Sequence, residues 1–219
     1  MSRPILVSIE ANIGAGKSTI LQKLQETIDP TYTTCIEEPI DVWSTYKDPT
    51  TGRSLLDLYY TNPSKYAFPL QTMIYNSLMR ILYQTIDSTS TPIIITERSL
   101  QSSSGIFAKM LNDSGIMSPI EYQVYKHSVV SDPIPLDVCI YLRTKPEICY
   151  ERIRHRNRQG EQKIEMEYLR TCHSAHETWI KEIQTANSNT IVYTIEVGVK
   201  TPKQILAEVL EILSDLMHS

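Results

Sequence analysis

Cysteine is scarce in this chain. Its four residues, at positions 35, 139, 149 and 172, include no pair two to four residues apart. That spacing argues against a structural zinc site and sets out no disulfide framework. A chain of 219 residues can bury a sufficient core without cross-links, so a reducing compartment such as the cytoplasm is expected. Long apolar runs are missing too. None approaches the roughly 20 residues that span a bilayer, which argues against a membrane protein. Positive charge is in deficit: 21 Lys and Arg face 25 Asp and Glu, a net charge of −4. The overall field therefore does not draw in a nucleic acid polymer. The Asn-Lys-x-Asp motif by which a GTPase reads its base is absent. A cleavable leader is not expected, because a strand-like run starts at Ile5 and passes straight into a glycine loop.

What is present alternates between two periods. Residues 5–10 (ILVSIE), 33–37, 92–97 (PIIITE), 137–142 (DVCIYL) and 190–195 (TIVYTI) read as strands. The run 92–97 is apolar on both faces, as suits a central parallel strand. Segments 17–28, 64–86, 119–130, 146–156, 165–186 and 202–217 read as helices, three of them opening near a proline. Strands separated by long helices demand right-handed crossovers. The expected fold is α/β, a five-stranded parallel sheet with helices on both faces. Residues 48–54 (DPTTGRS) read as a turn-rich loop, so residues 1–219 form a single domain.

Only seven glycines occur, and two lie in Ala11-Asn12-Ile13-Gly14-Ala15-Gly16-Lys17-Ser18-Thr19, between the first strand and the first helix. This is where a phosphate loop belongs. Backbone N–H groups from Asn12 to Thr19 converge on phosphate oxygens, and the helix N-terminus adds positive potential. Lys17 would reach the β- and γ-phosphates of ATP, and the Ser18 hydroxyl would ligate Mg²⁺. The competing reading is a glycine-rich turn with an incidental lysine. Ala11 stands where the motif usually has its first glycine. A positive φ there would cost on the order of 1 kcal/mol.

Three other features carry chemistry. Glu38 closes the second strand at the carboxyl edge of the sheet, where ligands of such folds bind. It is either a proton acceptor or one half of a structural ion pair. Arg152 and Arg156 share a helix face, as do Arg154 and Arg158. That run is either a solvated helix face or a nucleic-acid patch. Gln71 falls in the stripe of the long helix that also holds Ile74 and Leu78. Its amide presents a donor and an acceptor side by side, whereas plain core would leave it needing polar partners.

Residues 37–43 (EEPIDVW), 55–71 (LLDLYYTNPSKYAFPLQ), 97–99 (ERS) and 152–161 (RIRHRNRQGE) together resemble the deoxynucleoside kinase family, in order and spacing, from Ile5 to about Ile183. The resemblance implies a P-loop kinase fold with an arginine-rich lid over about 152–163. It implies transfer of the ATP γ-phosphate to the 5′-hydroxyl of a deoxynucleoside, with ATP and Mg²⁺ as cofactors and a homodimer as the assembly. Glu38 would be the base, Arg98 the charge stabiliser, and Glu97 would lie near Mg²⁺ with Ser18. Arg152 and Arg156 would contact phosphate from the lid. Gln71 would read the base. Trp43, Tyr66, Leu70, Ile74 and Phe107 would wall the pocket. Tyr60 and Glu161 would meet the sugar 3′-oxygen. Gly160 replaces the first of a glutamate pair usual before Glu161, and Leu70 replaces a phenylalanine. Leu78 and Ser103 stand where deoxycytidine-type members carry arginine and aspartate, which points to thymidine and deoxycytidine over purines. The alternatives are a thymidylate-type monophosphate kinase and a non-catalytic nucleotide-binding regulator.

Overall fold

The computed structural model describes residues 3–129, 134–157, 161–186 and 189–218. Strand β1 (Ile5–Glu10) leads through the glycine loop into α1 (Lys17–Thr27). After β2 (Thr33–Ile36) come α2 (Ile40–Thr45), α3 (Leu55–Thr61) and α4 (Pro63–Ser88). Strand β3 (Ile93–Glu97) is followed by α5 (Leu100–Ser102), a π-helical turn (Ser103–Ala108), α6 (Lys109–Asp113) and α7 (Pro119–Ser128). Next are β4 (Val138–Arg143), α8 (Pro146–Arg156), a 3-10 turn (Glu161–Lys163), α9 (Met166–Thr185), β5 (Ile191–Glu196) and α10 (Pro202–His218).

All five strands pair in parallel, in the order β2-β3-β1-β4-β5. The α/β fold expected from the sequence is the fold observed. Two-residue alternation then sorts the strand side chains onto two faces. Leu6, Ile94, Cys139 and Tyr141 join one core with α4, α7 and α9. Val7, Ile9, Ile93, Ile95, Val138, Ile140 and Leu142 join the other with α1, α8 and α10. Each such aliphatic side chain contributes about 1.5–3 kcal/mol when fully buried.

The expected helices hold to within two residues at each end, and Val130 lies outside the described residues. Short helices α2, α3, α5 and α6 were not legible, because runs of three to seven residues carry too few turns to show a period. The 48–54 loop is a turn closed by a bridge between Lys47 and Ser54. The strain allowed for at Ala11 does not arise. Its φ is not positive, and the left-handed positions of the loop are Gly14 and Gly16.

Candidate active site

At the carboxyl ends of β1, β2 and β3 the chain opens a cavity of about 320 Å³. One end is the glycine loop. Gly14 has φ 79° and Gly16 has φ 106°. An added Cβ at Gly14 would lie 2.7 Å from the Cys149 carbonyl oxygen, so α8 seats directly on the loop. No side chain caps the N-terminus of α1 at Gly16, and no acidic residue stands in its first turn. Those are the conditions under which a helix N-terminus accepts an anion. Ile13, Gly14, Gly16, Lys17, Ser18 and Thr19 line the cavity. Asn12 does not. Its side chain donates to the Leu169 carbonyl at 2.8 Å and accepts from the Ile13 N–H at 2.8 Å, tying the loop to α9. Ala15 is buried in core.

The middle of the cavity is a knot of charge. The Arg98 Nε donates to Glu38 Oε1 at 2.5 Å, and their side chains are 7% and 12% exposed. The ion-pair reading of Glu38 is therefore correct as geometry, and it leaves Glu38 on the cavity wall. The Ser18 hydroxyl donates to Glu97 Oε1 at 2.7 Å. Burial raises the pKa of the Glu97 carboxyl, and the Glu38 charge adds to the effect. Burial lowers the pKa of the Lys17 ammonium, and the Arg98 charge adds to that. Arg98 also stacks its guanidinium on the Phe107 ring, 4.1 Å from the centroid, and its buried Nη1 has no hydrogen-bond partner among the described residues. Buried donors are rarely left so. The atom suits an incoming anion or hydroxyl.

The backbone at Arg98 is held in the left-handed region at φ 75°. Such a conformation costs a non-glycine residue about 1–3 kcal/mol and clusters at functional sites. It lets β3 turn at once into α5, which Ser99 caps through a reciprocal bond with Ser102. Two contacts hold the corner: Arg98 N–H to the Ile9 carbonyl at 3.2 Å, and Ser99 N–H to Glu10 Oε1 at 2.8 Å. Glu10 is fully buried below the site, where burial raises its pKa against the opposing pull of Arg98. Sequence reading passed it over as the last residue of a strand.

The other end is apolar and aromatic. Trp43, Tyr60, Ile74, Ser103 and Phe107 line it. Gln71 lines it with a buried Oε1 that has no hydrogen-bond partner among the described residues. Tyr66, Leu70 and Leu78 do not line it. Leu78 shares the Gln71 face, but seven residues of helix carry it about 10 Å farther along the axis. Leu70 and Tyr66 are rotated away by the helical period, and both pack in core. Ile40, Leu56, Tyr59 and Tyr168 complete the wall. Tyr59 and Tyr168 join hydroxyls at 3.0 Å. Leu56 and Tyr59 lie inside the quoted 55–71 stretch; Tyr168, from α9, had no signal.

Arg152, Arg156 and Glu161 close the rim. Arg152 rests on the Ala15 carbonyl at 2.8 Å, and Arg156 pairs with Glu161 at 2.6 Å. Arg158 and Gly160 lie outside the described residues. Arg154 instead packs over Tyr150, away from the cavity.

Comparison with known proteins accounts for this arrangement. A probable deoxycytidine kinase of fowlpox virus is 34% identical over 180 residues, covering 80% of this chain and 72% of that protein. A thymidine kinase of ictalurid herpesvirus 1 is 29% identical over 187 residues, covering 82% and 76%. A solved deoxyadenosine kinase from M. mycoides superposes with a TM-score of 0.78 at 22% identity, covering 96% of this chain and all of the other. The profile of the deoxynucleoside kinase family matches residues 7–214. The chain belongs to the deoxynucleoside kinase family and is a nucleoside kinase.

Proposed function

We propose that ATP lies along the glycine loop, a deoxynucleoside fills the Gln71 end, and Glu38 takes the 5′-hydroxyl proton during phosphoryl transfer. The observation carrying this reading is the Glu38–Arg98 pair, held in the lining of the cavity that Lys17 and Gln71 also line. A guanidinium neighbour makes a carboxylate less basic. In a loose transition state the proton leaves late, so orientation counts for more than basicity. Arg98 fixes that orientation, and its spare Nη1 faces developing charge. Ser18 and Glu97 are hard oxygen donors that fit Mg²⁺, which characteristically takes one or two protein ligands beside phosphate oxygens. The metal would neutralise charge on the transferring group. Among the described residues no cluster of three acidic, histidine or cysteine side chains could hold a metal alone, which agrees with a shared site.

The base preference rests on Gln71 and Ser103. A glutamine amide can present its oxygen to the thymine N3–H or the cytosine amine, and its nitrogen to the adjacent acceptor. Ser103 adds no charge that would favour one pyrimidine. With Leu78 and Ser103 in place of the arginine and aspartate of deoxycytidine-type members, we assign thymidine and deoxycytidine as preferred acceptors, with purines weaker. Rim residues Arg152, Arg156 and Glu161 serve as the arginine-rich lid. A homodimer through the long helix α4 follows from the family resemblance, and Tyr83 on α4 with Ile120 and Val124 on α7 are large apolar side chains left exposed. Four free thiols suit the cytoplasm, and among the described residues no helix is long and apolar enough to cross a membrane. The test is kcat/KM for the four natural deoxynucleosides and for thymidylate, with ATP and Mg²⁺. Thymidine and deoxycytidine should lead. Strong purine turnover beside negligible thymidine turnover removes the base assignment, and preference for thymidylate makes the enzyme a monophosphate kinase.

A further inference from the structure

Outside the cavity, behind the rim, a second charged cluster joins two elements that both feed it. Asp57 lies in α3, two residues before Tyr59 and three before Tyr60. Its Oδ2 accepts from Arg53 Nε at 2.5 Å and its Oδ1 from Lys163 Nζ at 2.9 Å. Lys163 Nζ also donates to Thr61 Oγ1 at 2.7 Å. Thr61 in turn accepts from Arg53 Nη2 and donates to the Asp57 carbonyl at 2.9 Å. Lys163 ends the 3-10 turn that begins at Glu161. One carboxylate and one hydroxyl thus bind that turn to α3.

We propose that Lys163, Asp57 and Thr61 form a clasp that positions Glu161 opposite Tyr60 at the mouth of the nucleoside end. The clasp rests on the nucleoside-kinase reading of the cavity, in which those two side chains meet the sugar. Isolated surface ion pairs are worth little. This one differs in three respects. Asp57 is only 15% exposed, it is shared by two cations, and the lysine has a second acceptor on the same helix. Bonds from Arg53 and Lys163 hold the Asp57 carboxyl down to about 2, so it stays charged throughout the working range. Glu161 has its own tie to α8 through Arg156. The turn is therefore pinned on both sides: to the arginine helix at its start and to the nucleoside helix at its end.

The test uses the full chain with Lys163→Met, Asp57→Asn, the double variant, and Lys163→Arg. Each single change should raise KM for the deoxynucleoside about fivefold, the scale of one well-placed ion pair, with KM for ATP within a factor of two. The double variant should fall short of the product of the two single effects, because the Lys163–Asp57 bond is common to both, while the Lys163–Thr61 and Arg53–Asp57 bonds are each lost in only one of them. Lys163→Arg should keep the parent value. Hydrogen exchange without substrate should accelerate at the amides of 161–164 in Lys163→Met and not in Lys163→Arg. Unchanged deoxynucleoside KM, or additive effects in the double variant, overturns the positioning role. Unchanged exchange overturns the clasp itself. If the parent phosphorylates no deoxynucleoside, the cavity reading fails, and exchange still decides the clasp.

Discussion

The two ends of the cavity are built by opposite means. The glycine-loop end is one contiguous stretch, Ile13 to Thr19, set between β1 and α1. Its geometry follows from two left-handed glycines and a helix N-terminus. The Gln71 end draws on α2, α3, α4, the π-helical turn and α9. Local chemistry defines the first; only packing defines the second. An end fixed by local backbone tolerates little change, which suits the part of the proposed ligands that does not vary, the polyphosphate. An end assembled from side chains of several elements can be re-cut by single substitutions, which suits the part that varies, the base.

The largest expected effect falls at the junction of the two ends. Glu38→Gln keeps the shape and an acceptor for Arg98 but removes the carboxylate proposed as the base. It should lower kcat by about 10²–10⁴ with the fold intact by circular dichroism. Near-normal turnover would show that the junction orients without taking the proton.

Gly14→Ala tests the rigidity of the loop end. The new Cβ meets Cys149 and Ile153 at 2.7 and 2.8 Å, on backbone already at φ 79°. Overpacking and strain should cost about 1–3 kcal/mol. The expected readout is a rise of roughly tenfold or more in KM for ATP, with the deoxynucleoside KM little changed. Equal damage to both constants would dissolve the distinction between the ends.

A smaller effect probes what stands behind the Gln71 end. His176 is fully buried, stacked on Tyr141 at 6.0 Å and edge-on to Phe107 at 5.6 Å, with Nδ1 donating to the Cys172 carbonyl at 2.6 Å. Burial pushes its pKa down to about 3. The unfolded chain takes up this proton near its ordinary value of about 6.5, and the folded chain does not. Stability is therefore full above that pH and declines as pH falls from about 6.5 toward about 3, by at most about 1.4 kcal/mol per pH unit. His176→Phe should flatten that part of the melting-temperature profile. An unchanged slope would mean that other groups set the acid limb.

Legibility followed the same division. The loop and the strand-end carboxylate Glu38 could be read because contiguous residues and alternating periods carry their own geometry, whereas Glu97 and Arg98 were singled out only by the family resemblance. Gln71 and Ile74 were legible as one helix face. Leu78 was legible as the same face but not as lying beyond the cavity, since a period gives direction and not the depth at which a neighbouring helix ends. Tyr168 and Glu10 carried no local mark. The first enters from a distant helix, and the second matters only because the β3–α5 corner folds back onto it.

By itself the sequence determined the parallel α/β architecture, the phosphate loop and the kinase family, because these are written in short-range spacing and in backbone conformations a few residues can impose. Tertiary structure alone decided the strand order, the pairing of Glu38 with Arg98, the wall of the Gln71 end and the bond between Lys163 and Asp57. Those depend on contacts between residues roughly 60 and 106 positions apart, and chain connectivity does not choose such partners until the core has packed.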